Sequence, residues 1–325
     1  MNFLRNLGLA IALSTSLLAS AADIKTTAIN PEDLRSYDRV LMVPTVYVHL
    51  LVKGGVFAAK QTSGLASLGG GSGGTAKASA KFKTTGIDTE LATTIAKQAY
   101  DDFVKQLRDA GYTVLTYDDI KDRADIKAMQ REAMPASGMP TKSENGNDYI
   151  IAAPSAEQYF KTGAMNGIFN QFSGGRGSKI LDATVLIPEY TIAAPQVWAE
   201  TGSGYKSVSA GVNGKPGMTV SSARVYWLGK NVVRVMHGIP GVQLEGQILD
   251  VATNVGTLNT EDTTPTAGNA VSNVLGRLSG TGSIKAASRD YELVIDRAAY
   301  TAGAAAGIGA FNAEVARIAK DAKPK

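Results

Sequence analysis

The most regular feature of the sequence lies at residues 87–111, and it predicts an amphipathic helix. Its apolar side chains recur every four residues along one helical face: Leu91, Ile95, Ala99, Phe103 and Leu107. Asp88 is a good N-cap, Glu90 lies in the first turn where the helix dipole favours negative charge, and Gly111 can adopt the positive φ of a C-terminal cap. A helix with such a stripe has to bury it against another element.

Strands are predicted on both sides of this helix. Residues 39–52 contain the apolar run Val-Leu-Met-Val, and Pro44 predicts a bulge or an exit from the sheet because proline cannot donate to a strand ladder. Residues 112–116 form the strand that follows the helix. A strand, a helix and a strand in this order imply a crossover between parallel strands.

The second half of the chain predicts mostly antiparallel strands and a closing helix. Four strands with hairpin-length spacings are predicted, at residues 183–192, 218–228, 232–236 and 242–251. A polar linker is expected at 257–269 and a long helix at 290–320, where Gly303 and Gly307 favour close packing on a sheet. The predicted fold class is α+β (α/β-like), a mixed and mostly antiparallel sheet with the helices at 88–110 and 290–320 packed on it.

Two segments are predicted to be insertions into one α/β domain that covers residues 23–325. Residues 54–85 contain the tract Gly-Gly-Gly-Ser-Gly-Gly and are expected to be a flexible, Gly-rich loop. Residues 120–178 form the second insertion. Three elements are expected there: a helix at 120–134, a polar loop at 135–148 and a helix at 154–172.

The N-terminal residues 1–22 have the features of a signal peptide. Arg5 supplies the positive charge, an apolar stretch follows at residues 7–18, and Ala19-Ser20-Ala21 matches the small-x-small pattern of a cleavage site. We expect cleavage after Ala21 or Ala22. Because this removes one of the 33 basic residues and none of the 29 acidic ones, the mature net charge is 32 − 29, or +3.

The cysteine count also constrains the protein. The chain contains no cysteine, which excludes disulfides, thiolate catalysis and a lipid anchor on an N-terminal cysteine. No later stretch is apolar over the roughly 18 residues that a membrane-spanning helix needs. The expected location is therefore the periplasm or the outside of the cell, with membrane association by other means left open.

No short motif predicts a catalytic, cofactor-binding or metal-binding residue. Residues 70–74 match the G-x-S-x-G elbow of hydrolases, but a glycine tract cannot hold the strained turn of that motif. His49 and His237 could act as general bases near neutral pH, although single strand and loop histidines are common. Residues 144–148 carry oxygen ligands without the EF-hand spacing. One acidic cluster could bind a cation or cap a helix: Asp118, Asp119 and Asp122.

Nucleic-acid binding is not expected, because the basic residues are scattered and the balance of charge is small. Residues 201–213 hold sparse apolar side chains among polar ones. This segment is either an exposed hairpin loop or a segment that inserts into a membrane or pairs with a neighbouring subunit.

Several stretches carry a resemblance to a known family. An apolar strand ending in proline (residues 39–44) precedes the predicted helix, and a glycine, a strand and an aspartate (residues 110–120) follow it. Residues 182–190 supply a central strand, and residues 247–253 read Gln-Ile-Leu-Asp-Val-Ala-Thr. Together they resemble the periplasmic α/β domain shared by CsgG-type curli-secretion channels and the N-terminal domain of TolB. The resemblance implies non-enzymatic work in the cell envelope or at the cell surface.

The sequence therefore predicts an exported, non-enzymatic assembly or scaffolding protein that acts through contacts with other envelope or surface proteins, with self-association open. Two alternatives remain. One is an exported hydrolase that uses His49 or His237 with a nearby carboxylate. The other is a periplasmic small-ligand-binding module with an apolar pocket between the sheet and the middle helices.

Overall fold

The structure is a computed structural model. It describes residues 24–29, 40–61, 75–134, 142–161, 183–204, 207–228, 240–264, 283–285 and 287–322. The predicted signal peptide, the glycine tract at 62–74, the predicted strand at 232–236 and His237 lie outside the described residues.

The described residues form sixteen strands and four helices. The strands are β1 (Thr26–Ile29), β2 (Val40–Met42), β3 (Tyr47–Gln61), β4 (Thr75–Thr85), β5 (Thr113–Leu115), β6 (Lys142–Glu144), β7 (Asn147–Ala152), β8 (Thr184–Ala193), β9 (Gln196–Gly204), β10 (Ser207–Lys215), β11 (Met218–Leu228), β12 (Gly241–Leu244), β13 (Ile248–Ala252), β14 (Gly256–Asp262), β15 (Ser283–Lys285) and β16 (Ala287–Ile295). The helices are α1 (Thr89–Asp109), α2 (Tyr117–Ile120), α3 (Ala124–Lys127) and α4 (Arg297–Asp321).

Thirteen strands form one large mixed sheet. Its main path runs β1-β12-β11-β8-β3-β4-β16-β14, and β2, β5, β6, β7 and β13 pair beside this path. The three remaining strands form a small sheet in the order β15-β10-β9. Antiparallel pairs outnumber parallel ones. The mixed α and β architecture with a large mixed sheet agrees with the sequence prediction.

The crossover around α1 is as predicted. β2 and β5 pair in parallel, with Val40 opposite Thr113. Helix α1 lies between these two strands in the chain. The Asp88 side chain accepts a hydrogen bond from the Leu91 N–H at 2.8 Å, and Gly111 has φ +88°. The strand also breaks at Pro44, because β2 ends at Met42 and β3 begins at Tyr47.

Helices α1 and α4 pack beside each other on the large sheet and enclose the main core. The helices are tied at one end, where the guanidinium of Arg297 donates to the carboxylate of Asp88 at 2.6 Å. Gly307 lies so close to the sheet that an added Cβ would meet Val220 at 2.5 Å and Val251 at 2.9 Å. At Gly303 an added Cβ would lie 2.8 Å from Ala252. The expected close packing of this helix is thus confirmed.

The prediction of a loop over residues 54–85 is wrong at both ends. β3 continues to Gln61, and β4 begins at Thr75 as its antiparallel partner. The reason is a period of two: the small apolar side chains of β4 are buried, whereas Lys77, Lys81 and Lys83 between them are exposed. The loop prediction followed the composition, which is rich in alanine, lysine and threonine, and so missed strand β4.

The middle of the chain also differs from its prediction. Instead of one helix at 120–134, α2 and α3 have four residues each, and the chain beyond them is held by Arg131, whose guanidinium donates to the carbonyls of Met129 and Glu157 at 2.7 Å. The polar loop at 135–148 is wrong from residue 142, because β6 and β7 form a hairpin there. Its turn has Asn145 at φ 52° and Gly146 at φ 79°, as Asn-Gly turns favour.

The helix predicted at 154–172 is absent over its described part. A single 3-10 turn occupies Ala156–Gln158. Tyr159 leaves it with ψ 71°, so the helix cannot continue. Tyr159 and Phe160 are buried instead against Tyr47 and Tyr117. Residues 162–182 lie outside the described residues.

Two further corrections concern the C-terminal part. The linker predicted at 257–269 contains strand β14, and the helix predicted from residue 290 begins only at Arg297, with Asp296 as its N-cap. Residues 287–295 form strand β16, parallel to β4. Tyr291 and Leu293 are buried while Asp290 and Glu292 are exposed. This alternation has the period of a strand and not that of a helix.

The small sheet is connected to the large one through two pairs of consecutive strands. β8 continues into β9 through the cis Ala194–Pro195 peptide, and β10 continues into β11 through Pro216 and Gly217. Beyond this bend the β9–β10 hairpin packs over β3 and β4. A second apolar cluster fills the space between the layers: Leu51, Ala76, Ala78, Ala80, Phe82, Ala210, Val212 and Tyr291.

Candidate functional site

An open cleft of about 510 Å³ lies at the bend where the small sheet leaves the large one. Its walls come from five parts of the chain: the middle of β3, the end of β4, β7, the β8–β9 bend with the facing ends of β10 and β11, and β13. The volume is within the range of ligand-binding pockets in proteins. We call it the bend cleft.

One wall of the bend cleft is apolar. Leu51 and Phe82 belong to the second apolar cluster, and Val56 and Tyr149 pack beside them. The wall is therefore the border of a packed core, in which Leu51 and Phe82 are buried. Its side chains are held by packing between two sheets, so the cleft is formed before any ligand arrives.

Two large apolar side chains line the same cleft and remain exposed. Trp198 has 39% of its surface exposed and Leu249 has 63%. The indole N–H of Trp198 donates to Glu200 Oε1 at 2.6 Å, which fixes the ring along β9. Exposed tryptophan is enriched where proteins bind other molecules.

The opposite wall is polar and internally bonded. Lys215 Nζ donates to Asp250 Oδ1 at 2.5 Å, and this hydrogen bond holds the pKa of the Asp250 carboxyl below its ordinary value. Gln196 Nε2 donates to the Met218 carbonyl at 2.9 Å and to Thr219 Oγ1 at 2.7 Å. Asp250 has φ 53°, a conformation that non-glycine residues adopt rarely and that recurs at functional sites.

The structure places His49 near the start of β3, and His49 is not among the residues that line the bend cleft. Burial lowers the pKa of His49 to about 4, and Lys142 acts in the same direction while Glu144 opposes it. The imidazole is therefore neutral at pH 7. His237 lies outside the described residues.

The acidic residues singled out in the sequence have structural partners. Asp118 bonds Lys121 at 2.8 Å, Asp119 forms a capping box with Thr116, and Asp122 lies 3.0 Å from Lys127. Within the described part of the chain, no group of three acidic or histidine side chains is arranged to hold a metal ion.

Two more segments singled out in the sequence are residues 70–74 and residues 201–213. The G-x-S-x-G match at residues 70–74 lies outside the described residues. Of residues 201–213, the described ones belong to strands β9 and β10, which pair in antiparallel fashion, with Ala210 and Val212 buried against β4. The segment is thus a layer of the fold and not an exposed loop.

Sequence reasoning missed Glu189, a half-buried carboxylate on the central strand β8. Burial raises the pKa of the Glu189 carboxyl, and its neighbours Tyr226 and Arg224 act in the opposite direction. The Arg224 guanidinium lies 4.2 Å from the centre of the Tyr226 ring. The signal was present as a single glutamate within the apolar run of residues 183–192.

Comparison of the chain with protein-family models, curated proteins and solved structures gives no match. None of the helices in the described ranges combines the length and apolar character needed to cross a membrane.

Proposed function

We propose that the protein is an exported, non-enzymatic assembly or scaffolding component of the cell envelope or cell surface, acting through protein–protein contacts at its sheet edges. The leader-like residues 1–22 and the resemblance to the CsgG and TolB domain group support export. The observation that carries the contact function is strand β14, which forms one end of the large sheet.

β14 pairs with β16 along one side only, among the residues that the structure describes. Thr257, Asn259 and Thr260 are exposed, and charge appears only at Glu261 and Asp262 at its end. Natural proteins usually protect such edges with lysine, proline or bulges, because unpaired N–H and C=O groups recruit another strand. This edge has none of these over its first five residues, which favours pairing with a strand of another molecule.

The opposite end of the sheet favours a second copy as one partner. β1 is the other terminal strand, and the exposed Lys25 precedes it. The positive charge of Lys25 complements the acidic end of β14 at Glu261 and Asp262. Association of two different edges is heterologous, so successive copies would form rings or filaments.

Cysteine labelling tests the proposal, because the chain has no cysteine of its own. Thr260→Cys places a thiol on the β14 edge, and Lys97→Cys places one on the exposed side of α1 as a matched control. We expect maleimide to label Thr260→Cys more slowly in intact cells and a bismaleimide to link it to a neighbour. Equal labelling at both sites, with a monomeric mass by light scattering, would contradict the contact function.

The export part has a separate test. Fractionation and intact-mass measurement should find the mature chain in the periplasm or medium without its first 21 or 22 residues. A full-length chain in the cytosol would rule this part out.

A second candidate function is a ligand-binding module, and the bend cleft is the observation that favours it. The cleft lies between the two sheets, whereas the sequence placed a pocket between the sheet and the middle helices. A ligand that binds the folded state alone raises the melting temperature, so a thermal-shift screen tests this function. A screen without any stabilising compound would count against it.

A further inference from the structure

We propose that the bend cleft binds a neutral saccharide, an inference that rests on the ligand-binding candidate function and names its ligand class. Three properties of the cleft lead to this class: an exposed aromatic face, a set of fixed planar polar groups, and a balanced charge.

The aromatic property comes from Trp198. A tryptophan side chain has a single N–H donor and no acceptor, and that donor is already paired with Glu200. The indole therefore offers a ligand only its apolar face and edge. A pyranose ring carries several C–H groups on one side, and their positive hydrogens suit the negative face of an aromatic ring.

The polar property comes from the opposite wall. Gln196, Asp250 and the neighbouring Asn147 and Gln247 present amide and carboxylate groups, which together donate and accept hydrogen bonds. Gln196 and Asp250 are already oriented by Thr219 and Lys215. A sugar hydroxyl is both a donor and an acceptor, so it can form hydrogen bonds with such groups while their existing hydrogen bonds are kept. Because these side chains are held in place, little conformational entropy is lost when a ligand binds.

The charge of the cleft excludes strongly ionic ligands as its best occupants. Lys215 and Asp250 are the charged side chains among the described residues that line it, and they neutralise each other. An anion such as a phosphate would have to compete with Asp250 for the lysine, and a cation would have to compete with Lys215. A purely apolar ligand would cover the polar wall without using its remaining hydrogen-bonding groups, which costs free energy. A neutral molecule with one apolar side and many hydroxyls satisfies both walls.

Titration calorimetry on the mature chain tests the proposal, with tetra-N-acetylchitotetraose and maltotetraose as probes because they represent N-acetylated and plain neutral glycans. We expect one of them to bind saturably. Trp198→Ala should weaken that binding about tenfold or more, since stacking on the ring is lost. Asp250→Asn should weaken it less, because asparagine tolerates the same backbone conformation and keeps one acceptor. Phe57→Ala is the matched control, because Phe57 is 66% exposed and does not line the cleft.

The tryptophan fluorescence gives a second readout. The chain has two tryptophans, and Trp227 is buried, so a saccharide-dependent shift of the emission should come from Trp198 and vanish in Trp198→Ala. Circular dichroism establishes that each variant is folded.

Three results would overturn the proposal: no heat with either tetrasaccharide, binding that is unchanged in Trp198→Ala, or binding of a neutral tetrapeptide in place of both sugars. If the sugars fail while another compound stabilises the protein in the thermal-shift screen, the saccharide class is wrong and the ligand-binding function stands. The edge-labelling experiment is independent of both.

Discussion

Replacing Gly307 by alanine tests how closely α4 lies on the sheet. Alanine in a helix interior is favoured over glycine by about 1 kcal/mol, so on helix propensity alone the variant would be more stable. At this position, however, the new Cβ would lie 2.5 Å from a Val220 methyl carbon and 2.9 Å from a Val251 methyl carbon. Both contacts are much closer than carbon atoms tolerate, and valine side chains are stiff.

The magnitude follows from two opposing effects. Overpacking of a well-filled core costs about 1–3 kcal/mol, and the gain in helix propensity offsets about 1 kcal/mol of it. Gly307→Ala is therefore expected to lower the free energy of unfolding by roughly 0–2 kcal/mol. Gly309→Ala is the matched control in the same helix, because its Cβ would meet only Asp102 at 3.7 Å, an ordinary contact. The control should gain about 0.5–1 kcal/mol.

Urea unfolding followed by far-UV circular dichroism measures both variants. Because the helix-propensity gain is common to them, the difference between their unfolding free energies isolates the crowding against β11 and β13, expected at about 1–3 kcal/mol. A difference below about 0.5 kcal/mol would show that α4 lies farther from the sheet than the structure has it.

Three further predictions concern single side chains. Asp88→Ala removes the N-cap of α1 and the ion pair with Arg297 and should lower the free energy of unfolding by about 1 kcal/mol in thermal unfolding. Asp88→Asn keeps the cap and should lower it less. Equal losses in the two variants would show that the cap contributes nothing. For His49, the folded pKa of about 4 lies below the ordinary value of 6.5, so the unfolded chain binds the proton first as pH falls. Stability should therefore decline between about pH 6.5 and pH 4, by up to about 3 kcal/mol, and His49→Gln should remove this slope in urea midpoints. Half-buried Glu189, whose pKa is raised, acts with the opposite sign in both proteins. An unchanged slope in His49→Gln would refute the assignment. Tyr190→Phe removes the 2.6 Å hydrogen bond to buried Asn312 and should cost about 1–2 kcal/mol in urea unfolding, while Tyr149→Phe at the cleft serves as a more exposed comparison.

The parts of the fold that the sequence predicted are those fixed by local pattern. The stripe and caps of α1, the break at Pro44 and the close helix packing at Gly307 each depend on residues within a few positions of one another. The parallel pairing of β2 with β5 followed from their order around the helix.

The errors came where composition was preferred to periodicity. Alanine and lysine alternate along β4, and acidic and apolar residues alternate along β16, yet both were assigned by their polar or helix-favouring content. The Asn145-Gly146 pair offers oxygen ligands, but its stronger signal is a two-residue hairpin turn. These signals were in the sequence.

The bend cleft was not predictable in this way, since its walls come from segments separated by more than 190 positions along the chain, from Leu51 to Asp250. None of its lining residues forms a motif with another. What creates the cleft is the continuation of β8 and β11 into a second layer, in which β9 is the terminal strand among the described residues.

The bend cleft is separate from the main core. The main core lies between the large sheet and the helices α1 and α4, whereas the bend cleft borders the smaller cluster between β3–β4 and β9–β10. A chain without disulfides depends on packing alone, so a loss in the smaller cluster should loosen the cleft while the helix-backed core stays folded. Gly214 lies at that junction, where an added Cβ would meet the ring of Tyr291 at 2.8 Å. Tyr291 lies on β16, the partner strand of β14, and Leu258 of β14 packs against the same cluster, so a change at Gly214 should affect the β14 edge as well as the cleft.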